Sequence, residues 1–204
     1  MRAAALIGAG LLVLGGAVAG LWRRGAGTGA PFDPGEPMGE AEAVPAIPAP
    51  GPSVPAITLR PGAMPPGDVL ALAEAVGIAG LTPAELLAYV EVESSFMPAA
   101  YRWEARLGEA SYGLMQVLES TARDRGLDGP PTLMFDPETG LRFGLAHVEW
   151  TRDELARRGA SSDPLSVALA YNAGVGGFIR SGGTSDYRRK WTGAVNRWRG
   201  RGVA

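Results

Sequence analysis

Two glutamates, Glu91 and Glu93, stand in the stretch AYVEVESSFMP, residues 88–98, which otherwise looks built for burial. On a helix they differ by about 200° and cannot share a face. Leu86, Tyr89, Val90 and Glu93 fall at i, i+3, i+4 and i+7, one stripe, while Glu91 points to nearly the opposite side. Glu91 is therefore expected to be a surface charge, and Glu93 to close the buried face. An ionised carboxylate is expensive there, and the cheaper state is protonated with a raised pKa. A carboxylic acid kept protonated near neutral pH is what general-acid catalysis requires. The alternative is a structural ion pair between Glu93 and Arg102 or Arg106.

Composition narrows the other chemistries. The 204 residues contain no cysteine, which excludes disulfides and thiolate metal sites, and a single histidine. A catalytic zinc site needs several His, Cys or carboxylate ligands, and every histidine-based triad would have to use His147. His147 lies in GLAHVEW and reads as an ordinary helix residue. No metal and no organic cofactor is expected. Arg188, Arg189, Lys190, Arg197, Arg199 and Arg201 form a basic tail, expected to lack acidic partners. It reads as a solvated helix face, suited to anionic wall polymer, rather than a nucleic-acid site.

The elements that must position Glu93 are mostly helices. TPAE at 82–85 is a capping box with proline at its preferred first position, and DPET at 136–139 and DPLS at 163–166 are Asp-Pro helix starts. Further helices are expected over Gly67–Val76, after Glu119, and from near Ser185 through Trp198. No convincing alternating strand run separates them. The fold class is mainly α, with loops carrying the site.

Ahead of this domain, residues 3–22 make a run of ~20 apolar residues, enough for a bilayer span. Arg2 precedes it, Arg23 and Arg24 follow it, and AVA at 17–19 fits a signal cleavage site. Residues 1–24 are thus either a signal peptide or a retained inner-membrane anchor. Residues 25–66, crowded with Pro, Gly and Ala, read as an extended tether. Residues 67–204 are the globular domain, and the expected location is the cell envelope, periplasmic or membrane-anchored.

Three segments occur in a telling order: ESSFMPAA at 93–100, ASYGLMQV at 110–117 and LAYNAGVGG at 169–177. Together they resemble the lytic transglycosylase family related to goose-type lysozymes, over about residues 68–195. The resemblance implies a lysozyme-like helical domain with a loop-lined cleft, acting on the peptidoglycan glycan strand. It implies Glu93 as catalytic acid/base, with Ser94, Ser111, Gly113, Met115, Gln116, Tyr171, Asn172 and Tyr187 at the substrate. Tyr171 and Asn172 would flank the glutamate, and the Tyr187 hydroxyl would reach its carboxyl. Met115 also reads as core, and Gly174, Gly176 and Gly177 as a plain turn. Met97, Arg102 and Glu119 depart from the family pattern, so the loop 101–109 is unusual. Tyr101, Trp103 and Tyr112 could stack on sugars or pack that loop.

Most glycosidases use two carboxylates. By the resemblance one suffices: Glu93 protonates the leaving oxygen between MurNAc and GlcNAc, then takes a proton from the muramic C6 hydroxyl, closing a 1,6-anhydro ring. The alternatives are a hydrolytic lysozyme, with Glu104 or Glu109 as second acid, and a non-catalytic wall-binding or morphogenesis protein. A buried acid argues against the binder.

Overall fold

The computed structural model describes residues 58–204. The apolar run at 3–22 and most of the tether lie outside the described residues. The first described residues already belong to the domain, ahead of the expected start at Gly67. Leu59, Ala63 and Met64 pack on the core, and Met64 N donates to Phe96 O at 2.8 Å.

The chain forms α1 (Pro66–Val76), α2 (Pro83–Ser94), β1 (Tyr101–Glu104), β2 (Glu109–Tyr112), β3 (Val117–Leu118) and α3 (Glu119–Asp124). A 3-10 turn (Pro131–Phe135) leads to α4 (Pro137–Arg157), α5 (Pro164–Ala173), α6 (Val175–Ser181) and α7 (Ser185–Gly200). No helix among the described residues is long and apolar enough to cross a membrane. The helix starts follow the expected capping chemistry. Thr82 Oγ1 accepts from Glu85 N at 3.3 Å, while Glu85 Oε2 accepts from Thr82 N at 3.0 Å. Asp136 caps α4 through Thr139 N at 2.9 Å, and Asp163 caps α5 through Leu165 N at 3.0 Å. Each such cap contributes about 1 kcal/mol.

Helix α2 is more deeply enclosed than a single stripe predicts. Every residue from Ala84 to Val90 is buried. Helices α1 and α7 pack against it, and Tyr89 meets Tyr171 of α5 and Trp191 of α7 edge-on, at 5.3 and 5.9 Å between centroids. Past Val90 the last turn, Glu91 to Ser94, emerges from this sheath. Glu93 thus lies where a buried helix surfaces. Ser95 and Phe96 end the helix with φ of 52° and 66°, a left-handed backbone that non-glycine residues seldom adopt.

The expectation of loops alone is corrected between Tyr101 and Leu118. A three-stranded antiparallel sheet, in the order β1-β2-β3, stands there. Tyr101 pairs with Tyr112 and Arg102 with Ser111, and Tyr112 pairs onward with Val117. The strands are short and β1 is mostly exposed, so no hydrophobic alternation marks it. Gly113 ends β2 with φ +75°, and a Cβ there would come within 2.2 Å of Met134 O. Only glycine lets the hairpin and the 3-10 turn approach so closely.

The basic tail is corrected as well. Arg189 and Lys190 pair with Asp186, Arg197 with Glu91, and Arg199 with Glu85. Much of its charge is balanced within the fold.

Candidate active site

Glu93 has part of its side chain open to a cleft, while packed protein surrounds its carboxyl. Tyr187 Oη, carried by α7, donates to Glu93 Oε1 at 2.6 Å. Burial pushes the carboxyl up to about 7. The Tyr187 hydrogen bond and the Arg102 guanidinium work in the opposite direction, and the Glu104 charge works with burial. Desolvation wins because removing a carboxylate from water costs more than one hydroxyl donor returns. The structural ion pair is not what forms: Arg102 binds Glu104 instead.

The cleft beside Glu93 encloses about 170 Å³ and is lined also by Arg102, Glu104, Ser111, Gln116 and Tyr171, among others. Two walls face each other across it. The helical wall has Glu93 on α2 and Tyr171 and Asn172 on α5. The hairpin wall has Arg102 and Glu104 on β1, Ser111 on β2 and Gln116 beyond it.

Gln116 is held in place on the hairpin wall. Its Nε2 donates to Ala100 O and Gly113 O, both at 3.1 Å, and its Oε1 accepts from Ser111 Oγ at 3.0 Å. It adopts φ +47°, so its own backbone bears strain while its side chain stitches the hairpin together. Gly113 contributes through this packing and its carbonyl, and does not line the cavity.

Met115 is corrected as a cleft side chain. It is fully buried and lies where a Cβ on Gly144 would overlap its sulfur, at 2.4 Å. Only its carbonyl is near the site, accepting from Tyr171 Oη at 2.7 Å. Tyr171 therefore braces the turn holding Met115, and its hydroxyl is not on Glu93. Ser94 donates back to Val90 O at 3.1 Å within its own helix and does not line the cavity. Tyr112 packs between Tyr101 and Phe135, while Tyr101 and Trp103 remain exposed. Gly174 alone makes the turn after α5; Gly176 and Gly177 already belong to α6.

His147 lies behind Tyr171, its ring 4.9 Å from the tyrosine ring, and burial and then Arg125 push it down to about 4. It supports the wall as a neutral ring. Sequence reasoning left out Leu107 and Leu118 as lining residues. It met Arg102 as a departure and as an ion-pair candidate for Glu93, and Glu104 as an alternative acid, because nothing in YRWEARLGE announces a strand that brings both to one face. A wider hollow of about 480 Å³ lies on the Glu91 side, lined by Arg60, Arg197, Trp198 and Arg201 among others. Glu91 is bound there to Arg197, as suits a surface charge.

A mainly helical domain, with one raised carboxyl at a hairpin-rimmed cleft, has the lysozyme-like build expected above. The chain belongs to the transglycosylase SLT domain family, whose profile matches residues 72–192. It is 30% identical over 116 residues to membrane-bound lytic murein transglycosylase C of Histophilus somni (strain 2336), covering 52% of this chain and 31% of that protein. It is 30% identical over 110 residues to the protein of the same name from Actinobacillus pleuropneumoniae serotype 5b (strain L20), covering 50% and 29%. The alignment thus spans about three-tenths of these relatives' length.

Proposed function

We propose that this chain is a peptidoglycan lytic transglycosylase. It cleaves the β-1,4 bond between MurNAc and GlcNAc and leaves 1,6-anhydroMurNAc. The observation that carries the reading is the Glu93 carboxyl, raised to about 7 and held by Tyr187 at the edge of the cleft. Protonated Glu93 gives its proton to the glycosidic oxygen as the C1–O bond breaks. The resulting carboxylate takes the proton of the C6 hydroxyl as O6 bonds to C1. The acid is regenerated and no water is consumed. Tyr187 donates to the carboxyl through both transfers, limiting its rise in pKa.

The names of the relatives support a place in the cell envelope, and the apolar run at 3–22 supports export or anchoring there. Peptidoglycan is the partner; nucleic acid is not. A second reading, hydrolysis, is favoured by Glu104, a second carboxyl on the same cavity. Glu109 does not favour it, since both of its oxygens accept from Ser120, at 2.8 Å each.

Digestion of purified peptidoglycan in oxygen-18 water separates the readings. Anhydro ends without label are the expected products. Labelled reducing ends would mean that water attacks, and would remove the transglycosylase reading.

A further inference from the structure

The hairpin wall carries a carboxyl that the single-acid scheme leaves unused. Arg102 and Glu104 are alternate residues of β1, so their side chains share one face, and Ser111 joins that face by pairing with Arg102. Arg102 Nε donates to Glu104 Oε1. Ser111 Oγ lies 3.5 Å from the same oxygen but only 3.0 Å from Gln116 Oε1. A hydroxyl has one hydrogen to give, so it serves Gln116. Glu104 is therefore anchored through Oε1, and among the described residues its Oε2 has no protein donor. Its side chain is 28% exposed, which leaves it reachable from the cavity it lines with Glu93.

We propose that Glu104 is a second catalytic carboxylate, whose free oxygen meets the sugar at the cleaved bond and stabilises the positive charge that develops at C1. This rests on the reading of Glu93 as the acid. Glycosidic cleavage passes through an oxocarbenium-like state, and a negative group placed in advance favours it. Glu104 forms no bond and moves no proton; Glu93 does the proton work. Arg102 holds the carboxylate in position on the hairpin. The Glu104 charge also opposes ionisation of Glu93, so it helps keep the acid loaded.

The test is turnover of purified peptidoglycan by Glu104→Gln across pH, with Glu93→Gln run beside it. Glu104→Gln is expected to lower kcat at least 30-fold with KM within threefold, and its products still end in anhydroMurNAc. The alkaline limb of kcat/KM shifts to lower pH, because a charge that resisted Glu93 ionisation is gone. Even a bystander charge would move that limb, so the fall in kcat at steady KM and rescue by formate carry the test. Glu104→Ala is expected to regain activity with added formate, a small carboxylate that fits the vacated place; this arm serves even if Glu104→Gln folds poorly. Turnover within threefold of the parent overturns the proposal, wherever the limb lies. So does oxygen-18 label at wild-type ends that disappears in Glu104→Gln, which would make Glu104 a base for water. Full activity in Glu93→Gln would instead strike the parent reading, whatever Glu104 does.

Discussion

The two walls of the cleft are built by different physics. The helical wall is rigid because α2 is sheathed by neighbours up to its last turn, so Glu93 inherits its position from a packed core. The hairpin wall has short strands and an exposed outer face. It is held by Gln116 and Ser111, by Arg102 on Glu104, and by the close passage at Gly113. One wall holds its acid by burial, the other by hydrogen bonds and charge. The first raises a pKa; the second sets an electrostatic field.

Mutations can break this contrast. The largest effect belongs to Glu93→Gln. General acid–base catalysis is worth roughly 10²–10⁴ in rate, and the glutamine cannot cycle a proton, so kcat on peptidoglycan falls by that order with circular dichroism unchanged. The same variant should be the more stable protein in alkali. The folded carboxyl titrates at about 7 and the ordinary value is 4.5, so the fold holds a proton that the unfolded chain releases. The stability it supplies is complete below 4.5, declines as pH rises through about 7, and is absent above. The lost part is roughly 3 kcal/mol at most, at 1.36 kcal/mol per pH unit. Thermal melts at pH 8 should place Glu93→Gln above the parent, with the gap closing toward pH 4.5. A variant that melts lower at pH 8 would mean that the carboxyl is not under desolvation strain.

The wild-type rate itself should fall as pH rises through about 7, since the proposed mechanism starts from protonated Glu93, whose carboxyl is raised to about 7. A flat kcat/KM from pH 6 to 9 would contradict this. Tyr187→Phe comes next, with kcat down about tenfold and KM little changed, as for an interaction that matters most in the transition state. The tyrosine favours the ionised carboxyl, so its loss should move the alkaline limb to higher pH, opposite to Glu104→Gln. Two variants that shift one limb in opposite directions sharpen the division between the walls. The smallest effect is that of Glu91→Gln, expected within twofold in rate. Its ion pair with Arg197 is half-exposed, and such pairs contribute about 0–1 kcal/mol.

The helical wall was legible in sequence because its signals are local. Thr82, Asp136 and Asp163 announce helix starts, and the spacing from Leu86 to Glu93 orients the acid. The link from Tyr187 to Glu93 spans 94 positions, and only family resemblance suggested it. The strands of the hairpin wall were not legible, although the resemblance named Ser111 and Gln116, which line the cavity there. YRWE and EASY are too short and too polar to alternate, and β1 exposes most of its side chains. Met115 belonged to the core because its neighbour across the contact, Gly144, has no side chain, a fact of packing that no nearby pattern carries. The arginines of α7 found their acids on α2 and in their own first turn, so counting charges along the tail misjudged its balance.

The hydroxyl that restrains Glu93 comes from α7, while the acid itself comes from α2. During ribosomal synthesis α2 emerges long before α7. Until α7 docks, a nascent chain lacks both part of the sheath around α2, Trp191 included, and the hydroxyl that holds the carboxyl. The raised and restrained acid is complete only once the last helix docks, so under the proposed function the order of translation would hold back cutting until the domain has closed.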